Sequence, residues 1–124
     1  MRYLVLVSDY DGTIATGGKP ESAALSALER LRMSGRRAIL LTGRRVDDLL
    51  SVCPRLRLFD YVLAENGAVL YEPRTREQTL LGKPPPAAFV QRLRQLTAHS
   101  IGVRKRVGAT SLALSLAVAT PAVA

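Results

Sequence analysis

Apolar residues in this chain come in short blocks separated by turn-forming clusters. Residues 3–8 are a continuous apolar run closed by "DGT", which predicts a fully buried strand of a parallel sheet. After "TGGKP", Pro20 suits a first helical position, and Ala24, Ala27, Leu28 and Leu31 recur at helical spacing until Ser34-Gly35. The unit then repeats. Ala38-Ile39-Leu40-Leu41 predicts a second buried strand, and Val46, Leu49, Leu50 and Cys53 predict a second helix ending at Pro54. Residues 61–64 predict a third strand, Asn66-Gly67 a tight turn, and residues 68–71 a short extended piece. Alternating strands and helices of this length imply βαβ crossovers. The expected fold is therefore α/β, a Rossmann-like parallel sheet with helices on both faces.

Further along, Glu72-Pro73-Arg74-Thr75 reads as a turn and residues 78–81 as another strand. Lys83-Pro84-Pro85-Pro86 is a stiff connector before the helical pattern Phe89, Leu93, Leu96. From residue 99 the periodicity fades. A basic cluster, Arg104-Lys105-Arg106, precedes 18 residues without charge. The organisation read from the sequence is a core over residues 1–81, a Pro-rich connector and helix over 82–98, and an unassigned basic then apolar tail over 99–124.

A chain of 124 residues fits one domain, and 48% apolar with 23% charged residues is the balance of a soluble globular protein. The net charge of +8 is unevenly placed: residues 1–77 hold 12 basic and all 10 acidic side chains. With 6 aromatic residues for stacking and the basic excess in the tail, nucleic acid is not the expected partner. The single cysteine, Cys53, excludes an internal disulfide, reads as a small buried hydrophobe and suits a cytoplasmic location. The first apolar run is too short for an export signal or a membrane span. No membrane partner is expected, and the oligomeric state is left open.

In open parallel sheets ligands bind beyond the carboxyl ends of the strands, and the loops there are "DYDGT" and "TGRR". Asp9 and Asp11, two apart in extended chain, point to the same side, and Gly12 permits a sharp turn after them. Paired hard oxygen ligands suit Mg²⁺, which completes its octahedron with water and phosphate oxygens. Two other motif readings fail on spacing. In "GTIATGGKP" the residue after Gly17 is Gly18 where a P-loop needs Lys, and an EF-hand needs a third oxygen ligand before its glycine. Thr42 alone could cap a helix, Asp47 and Asp48 read as first-turn carboxylates favoured by the helix dipole, and Arg44 and Arg45 could reach either phosphate or solvent. His99 has no partner in the pattern.

Asp9-Tyr10-Asp11-Gly12-Thr13 after an apolar strand resembles the first motif of the haloacid dehalogenase-like (HAD) phosphohydrolases, and Leu40-Leu41-Thr42-Gly43-Arg44 resembles the second. Glu65-Asn66-Gly67-Ala68 resembles the Cof-type branch, which includes sugar-phosphate phosphatases. The resemblance implies a Mg²⁺-dependent phosphatase acting on a small phosphorylated metabolite. Asp9 would be the nucleophile, forming an aspartyl-phosphate. Asp11 would be the general acid and base, with its pKa above that of Asp9. Asp9 and the Asp11 backbone carbonyl would hold Mg²⁺, Thr42 and Gly43 would bind phosphate oxygens, and Asn66 would lie on the substrate side.

The family's third-motif lysine and fourth-motif acidic pair have no match, since no Asp or Glu follows Glu77. The match is thus to the N-terminal portion, before the later core strands and most of a cap. The alternative function is a non-catalytic fragment that binds phosphate and Mg²⁺. Residues 99–124 admit three readings: a substitute core element, a membrane-associated segment, or, the favoured one, non-native sequence from a shifted reading frame.

Overall fold

The computed structural model describes residues 3–97 together with residues 106–107 and 112–113. In chain order the elements are β1 (Val5–Asp9), β2 (Ala15–Thr16), β3 (Lys19–Pro20), α1 (Ser22–Met33), β4 (Arg37–Leu41), α2 (Val46–Val52), β5 (Tyr61–Ala64), β6 (Val69–Glu72), β7 (Glu77–Leu80), α3 (Ala87–Thr97), β8 (Arg106–Val107) and β9 (Leu112–Ala113). Short 3-10 turns lie at Leu56–Leu58 and Glu65–Gly67. The expected α/β architecture is present. The favoured origin of residues 99–124 lies outside the described residues, apart from the small antiparallel pair β8–β9.

Five strands form one mixed sheet in the order β1-β4-β5-β6-β7. The three strands that lead into the motif loops are parallel, with Val7 beside Ile39 and Ile39 beside Tyr61. The remaining two are antiparallel. The parallel part of the sheet is thus β1, β4 and β5, and β6 and β7 return antiparallel for a geometric reason. A parallel crossover needs a dozen or more residues, and the turns before β6 and β7 are far shorter, so the chain must fold back on itself.

Helices on both faces were also expected, and α1 and α2 share one. Their buried residues Leu28, Val46 and Leu49 join a single cluster whose strand members are Ala38, Leu40, Val62, Ala64, Val69 and Tyr71, all from the same side of the pleat. The cause is topological. The chain steps from β1 to β4 to β5 in one direction, and right-handed crossovers then place successive helices on the same side. Helices on the other face require strands added beyond β1.

That geometry also overturns the reading of β1 as a fully buried strand. It is an edge of the sheet, and Val5, Leu6 and Val7 remain 46%, 41% and 53% exposed. Hydrophobicity marks a strand as suited to burial, but neighbours decide whether it is buried.

Two local differences shape the site. Pro20 belongs to β3 and not to α1, because Gly17 and Gly18 (φ 60° and 82°) close a two-residue hairpin between β2 and β3. The "TGG" that superficially suggested a P-loop is this turn. Cys53 is buried, as expected of a small hydrophobe. Among the described residues no helix is long and apolar enough to cross a membrane.

Candidate active site

Because β1, β4 and β5 are parallel, the loops that follow them emerge at one edge of the sheet. Asp9 ends β1, Thr42 and Gly43 follow β4, and Asn66 follows β5. These four line one cavity of about 450 Å³ with Leu41 and Leu63 as its apolar wall. Asp11, the fifth residue singled out in the sequence, stands outside that lining.

Each position is held by contacts that the local sequence dictates. Tyr10, between the two aspartates, is fully buried, and its hydroxyl donates to the Gly18 carbonyl at 3.0 Å, pinning the loop to the β2–β3 hairpin. The Tyr10 carbonyl accepts from the Ile14 and Ala15 amides, each at 2.9 Å, and Gly12 at φ 79° makes that tight turn possible. Thr42 is buried, its amide donates to the Leu63 carbonyl at 2.9 Å, and its hydroxyl oxygen accepts from the Arg44 amide at 3.1 Å. The hydroxyl proton therefore stays free to donate to a ligand. Thr42 is not a helix cap, since α2 begins after Arg45.

Gly43 lets the Asn66 side chain approach closely: a Cβ there would lie 3.0 Å from the Asn66 side-chain oxygen and would press on it. The Asn66 amide donates to the Thr42 carbonyl at 3.1 Å, which ties the second and third loops together. Glu65 and Asn66 both adopt left-handed backbone, at φ 52° and 57°. Asn tolerates this region, whereas for Glu it stores strain, a feature concentrated at functional sites. Glu65 is buried, and its Oε1 has no hydrogen-bond partner among the described residues. Sequence reasoning missed this, because an acidic residue beside Asn-Gly reads as a solvated turn.

The electrostatics centre on Arg44. Its Nη2 and Nε donate to the two carboxylate oxygens of Asp11, both at 2.8 Å, and its Nη1 donates to Asp48 at 3.0 Å. The guanidinium also lies over the Tyr10 ring, 5.5 Å from its centroid. This bidentate pair holds the Asp11 carboxyl below its usual range. Arg44 thus acts on Asp11 against the proton-donating role that the resemblance implies for it. Burial raises the Tyr10 hydroxyl and the Cys53 thiol. The available signal for Arg44 was its spacing to Asp48, one helical turn on. Asp47 and Asp48 do sit in the first turn of α2.

The donor set is compatible with Mg²⁺. The exposed Asp9 carboxylate accepts no hydrogen bond among the described residues, and the Asp11 backbone carbonyl lies in the same loop. Mg²⁺ commonly takes one or two protein oxygens and fills the rest of its octahedron with water and phosphate. The Asp11 side chain is committed to Arg44, so only its carbonyl is on offer. Among the described residues no group of three or more His, Cys, Asp or Glu converges.

Comparison with known proteins agrees with this architecture. The chain is 40% identical over 70 residues to a phosphoglycolate phosphatase of Pyrobaculum aerophilum, a match covering 54% of this chain and 30% of that one. A haloacid dehalogenase-like hydrolase from Bacteroides thetaiotaomicron superposes with a TM-score of 0.65 at 20% identity, covering 78% of this chain and 39% of that chain. A sugar phosphatase of HAD subclass IIB, the Cof-type branch, superposes with a TM-score of 0.53 at 25% identity, covering 67% and 33%. The chain therefore spans about a third of the length of these relatives. The haloacid dehalogenase-like hydrolase family matches residues 6–100, and the chain belongs to that family.

Proposed function

We propose that this chain carries the nucleophile and phosphate-binding half of a phosphatase site for a small phosphomonoester, of the sugar phosphate or phosphoglycolate class. One observation carries the reading: Asp9, Thr42, Gly43 and Asn66, from three separate strand ends, line one cavity. A phosphoryl group placed there meets a carboxylate without a hydrogen-bonded partner, a hydroxyl proton and a backbone N–H.

In this mechanism an Asp9 oxygen forms a bond to phosphorus as the P–O bond to the alcohol breaks, giving an aspartyl-phosphate. Asp11 supplies the proton for the departing alkoxide and takes one back from the water that releases phosphate. Thr42 and Gly43 steady the phosphoryl oxygens, and Asn66 orients the substrate. Asp9 and the Asp11 carbonyl would hold Mg²⁺, which would supply charge neutralisation between nucleophile and phosphate.

Asp11 acts only after Arg44 lets go, because a carboxylate in a bidentate pair carries no proton to give. The incoming phosphoryl group offers Arg44 a competing acceptor. The same pair favours a second reading, in which the chain binds phosphate and Mg²⁺ without turnover. Phosphate release from sugar phosphates, phosphoglycolate and p-nitrophenyl phosphate, with and without Mg²⁺, separates the two. Turnover that requires Mg²⁺ and is lost in Asp9→Asn supports the phosphatase; saturable phosphate binding with no turnover supports the second reading.

A further inference from the structure

A second concavity, of about 280 Å³, opens at the opposite end of the sheet. Arg37 begins β4, Tyr61 begins β5 and Glu72 ends the antiparallel β6, so their lower ends form its floor. Strand β4 separates it from the Asp9 cavity by about 13 Å, at about 3.3 Å per residue. Arg32 from α1, Arg57 from the Leu56–Leu58 turn and Arg74 from the β6–β7 turn complete its basic wall. Tyr61, half-buried, gives it one apolar side, with the fully buried Phe59 behind it.

Four arginines line this concavity against only two acidic residues, Asp60 and Glu72, and both carboxylates are already engaged. Asp60 accepts the Ala38 amide at 2.9 Å, and Glu72 lies 3.6 Å from Arg74. Arg32 donates to the Arg57 carbonyl, which fixes that side chain across the pocket. Neither Arg37 nor Arg57 has a side-chain hydrogen bond or ion pair among the described residues. Like charges gathered in a concavity repel, and two positive charges are left over. An anion of two or more negative charges relieves that repulsion, and planar guanidinium groups match the oxygens of a phosphate in paired hydrogen bonds.

We propose that this pocket is a binding site for a small phosphate-bearing anion, separate from the Asp9 cavity. Its volume suits a metabolite and not a polymer, and its aromatic side offers a surface for the uncharged part of the ligand. The sequence concealed it, because the four arginines come from four separate segments and each alone reads as a solvated surface residue.

The test is a titration of the full chain with inorganic pyrophosphate, without Mg²⁺ and at constant ionic strength, followed residue by residue through amide ¹H–¹⁵N shifts. Inorganic phosphate, chloride and a short DNA duplex serve as parallel ligands. The expected result is a saturable response at Ala38, Asp60 and Tyr61 that persists in Asp9→Asn. It should weaken about tenfold or more in Arg37→Gln/Arg57→Gln, with the thermal midpoint unchanged. Arg37 and Arg57 are exposed, and the two single variants give the same reading if the double variant unfolds. A response confined to Gly43 and Asn66 would overturn the proposal, as would one equalled by chloride or indifferent to both arginines. Tighter binding of the duplex through the same residues would overturn it in favour of nucleic acid. None of these outcomes depends on turnover, so the proposal and the phosphatase reading fail separately.

Discussion

Strand β4 buries Ala38 and Leu40 completely against α1 and α2, whereas its neighbour β1, with its own apolar run Val5-Leu6-Val7, leaves those three residues about half exposed. The two strands share a register of five residue pairs and differ in what lies beyond them. β4 has a strand on each side and helices over one face. β1 has one strand neighbour and a free edge. The difference teaches that hydrophobicity in a sequence records the burial a strand is suited to, while the burial it attains is set by topology. It also bears on the chemistry, because Asp9 rises from the bare strand and its partners Thr42, Gly43 and Asn66 from the covered ones.

The comparison breaks most visibly in the core. Phe59→Ala, at a site 1% exposed, is expected to cost about 3–5 kcal/mol, and Leu40→Ala about 2–5 kcal/mol. Val7→Ala on β1 is expected to stay within about 0.5 kcal/mol. Denaturant unfolding of the three variants measures the contrast, and equal losses would mean that β1 is buried in solution. Next comes self-association. An apolar edge strand without Pro, and with its one charge, Asp9, at its last position, is a template for pairing. Concentration-dependent association in sedimentation is therefore expected, and Val5→Lys/Val7→Lys should suppress it while leaving stability nearly unchanged.

Gly43→Ala sharpens the comparison on the covered side of the cavity. Its Cβ would press on the Asn66 side-chain oxygen at 3.0 Å, so Asn66 must move. A loss of about tenfold or more in kcat/KM is expected from that misplacement, with a thermal midpoint shift of only a few degrees. The smallest effect concerns Arg44 and Asp11. The folded-state pKa of Asp11 is lowered, so the pair's stabilisation is present above about pH 3.9, the unfolded value, and is lost as pH falls through the folded value. Asp11 is 51% exposed at its side chain, which limits the effect to about 1 kcal/mol or less. Arg44→Gln should thus differ from the parent chain at pH 7, and the difference should shrink in acid unfolding below pH 4.

Much of this was legible in the chain because it depends on local pattern. The strand-helix-strand-helix-strand succession through residue 64, the tight turn at Asn66-Gly67, and the placing of Asp9, Thr42 and Gly43 at strand ends follow from periodicity, while Asn66 joined them through the family resemblance. What escaped depends on partners distant in sequence. The exposure of β1 turns on which strands stand beside it. The capture of Asp11 by Arg44 joins residues 33 positions apart, and no spacing rule signals it. The buried, unpartnered Oε1 of Glu65 and the four-arginine pocket are likewise visible only once the chain has folded.

The most direct test of the central reading is to mix the chain with Mg²⁺ and a rapidly cleaved phosphomonoester, quench in acid within one turnover, and map the protein by mass spectrometry. Phosphoryl transfer through Asp9 requires the mass of one phosphoryl group on the peptide that contains Asp9, absent in Asp9→Asn. Phosphate release that continues in Asp9→Asn, or a phosphoryl group carried by another residue, would contradict it.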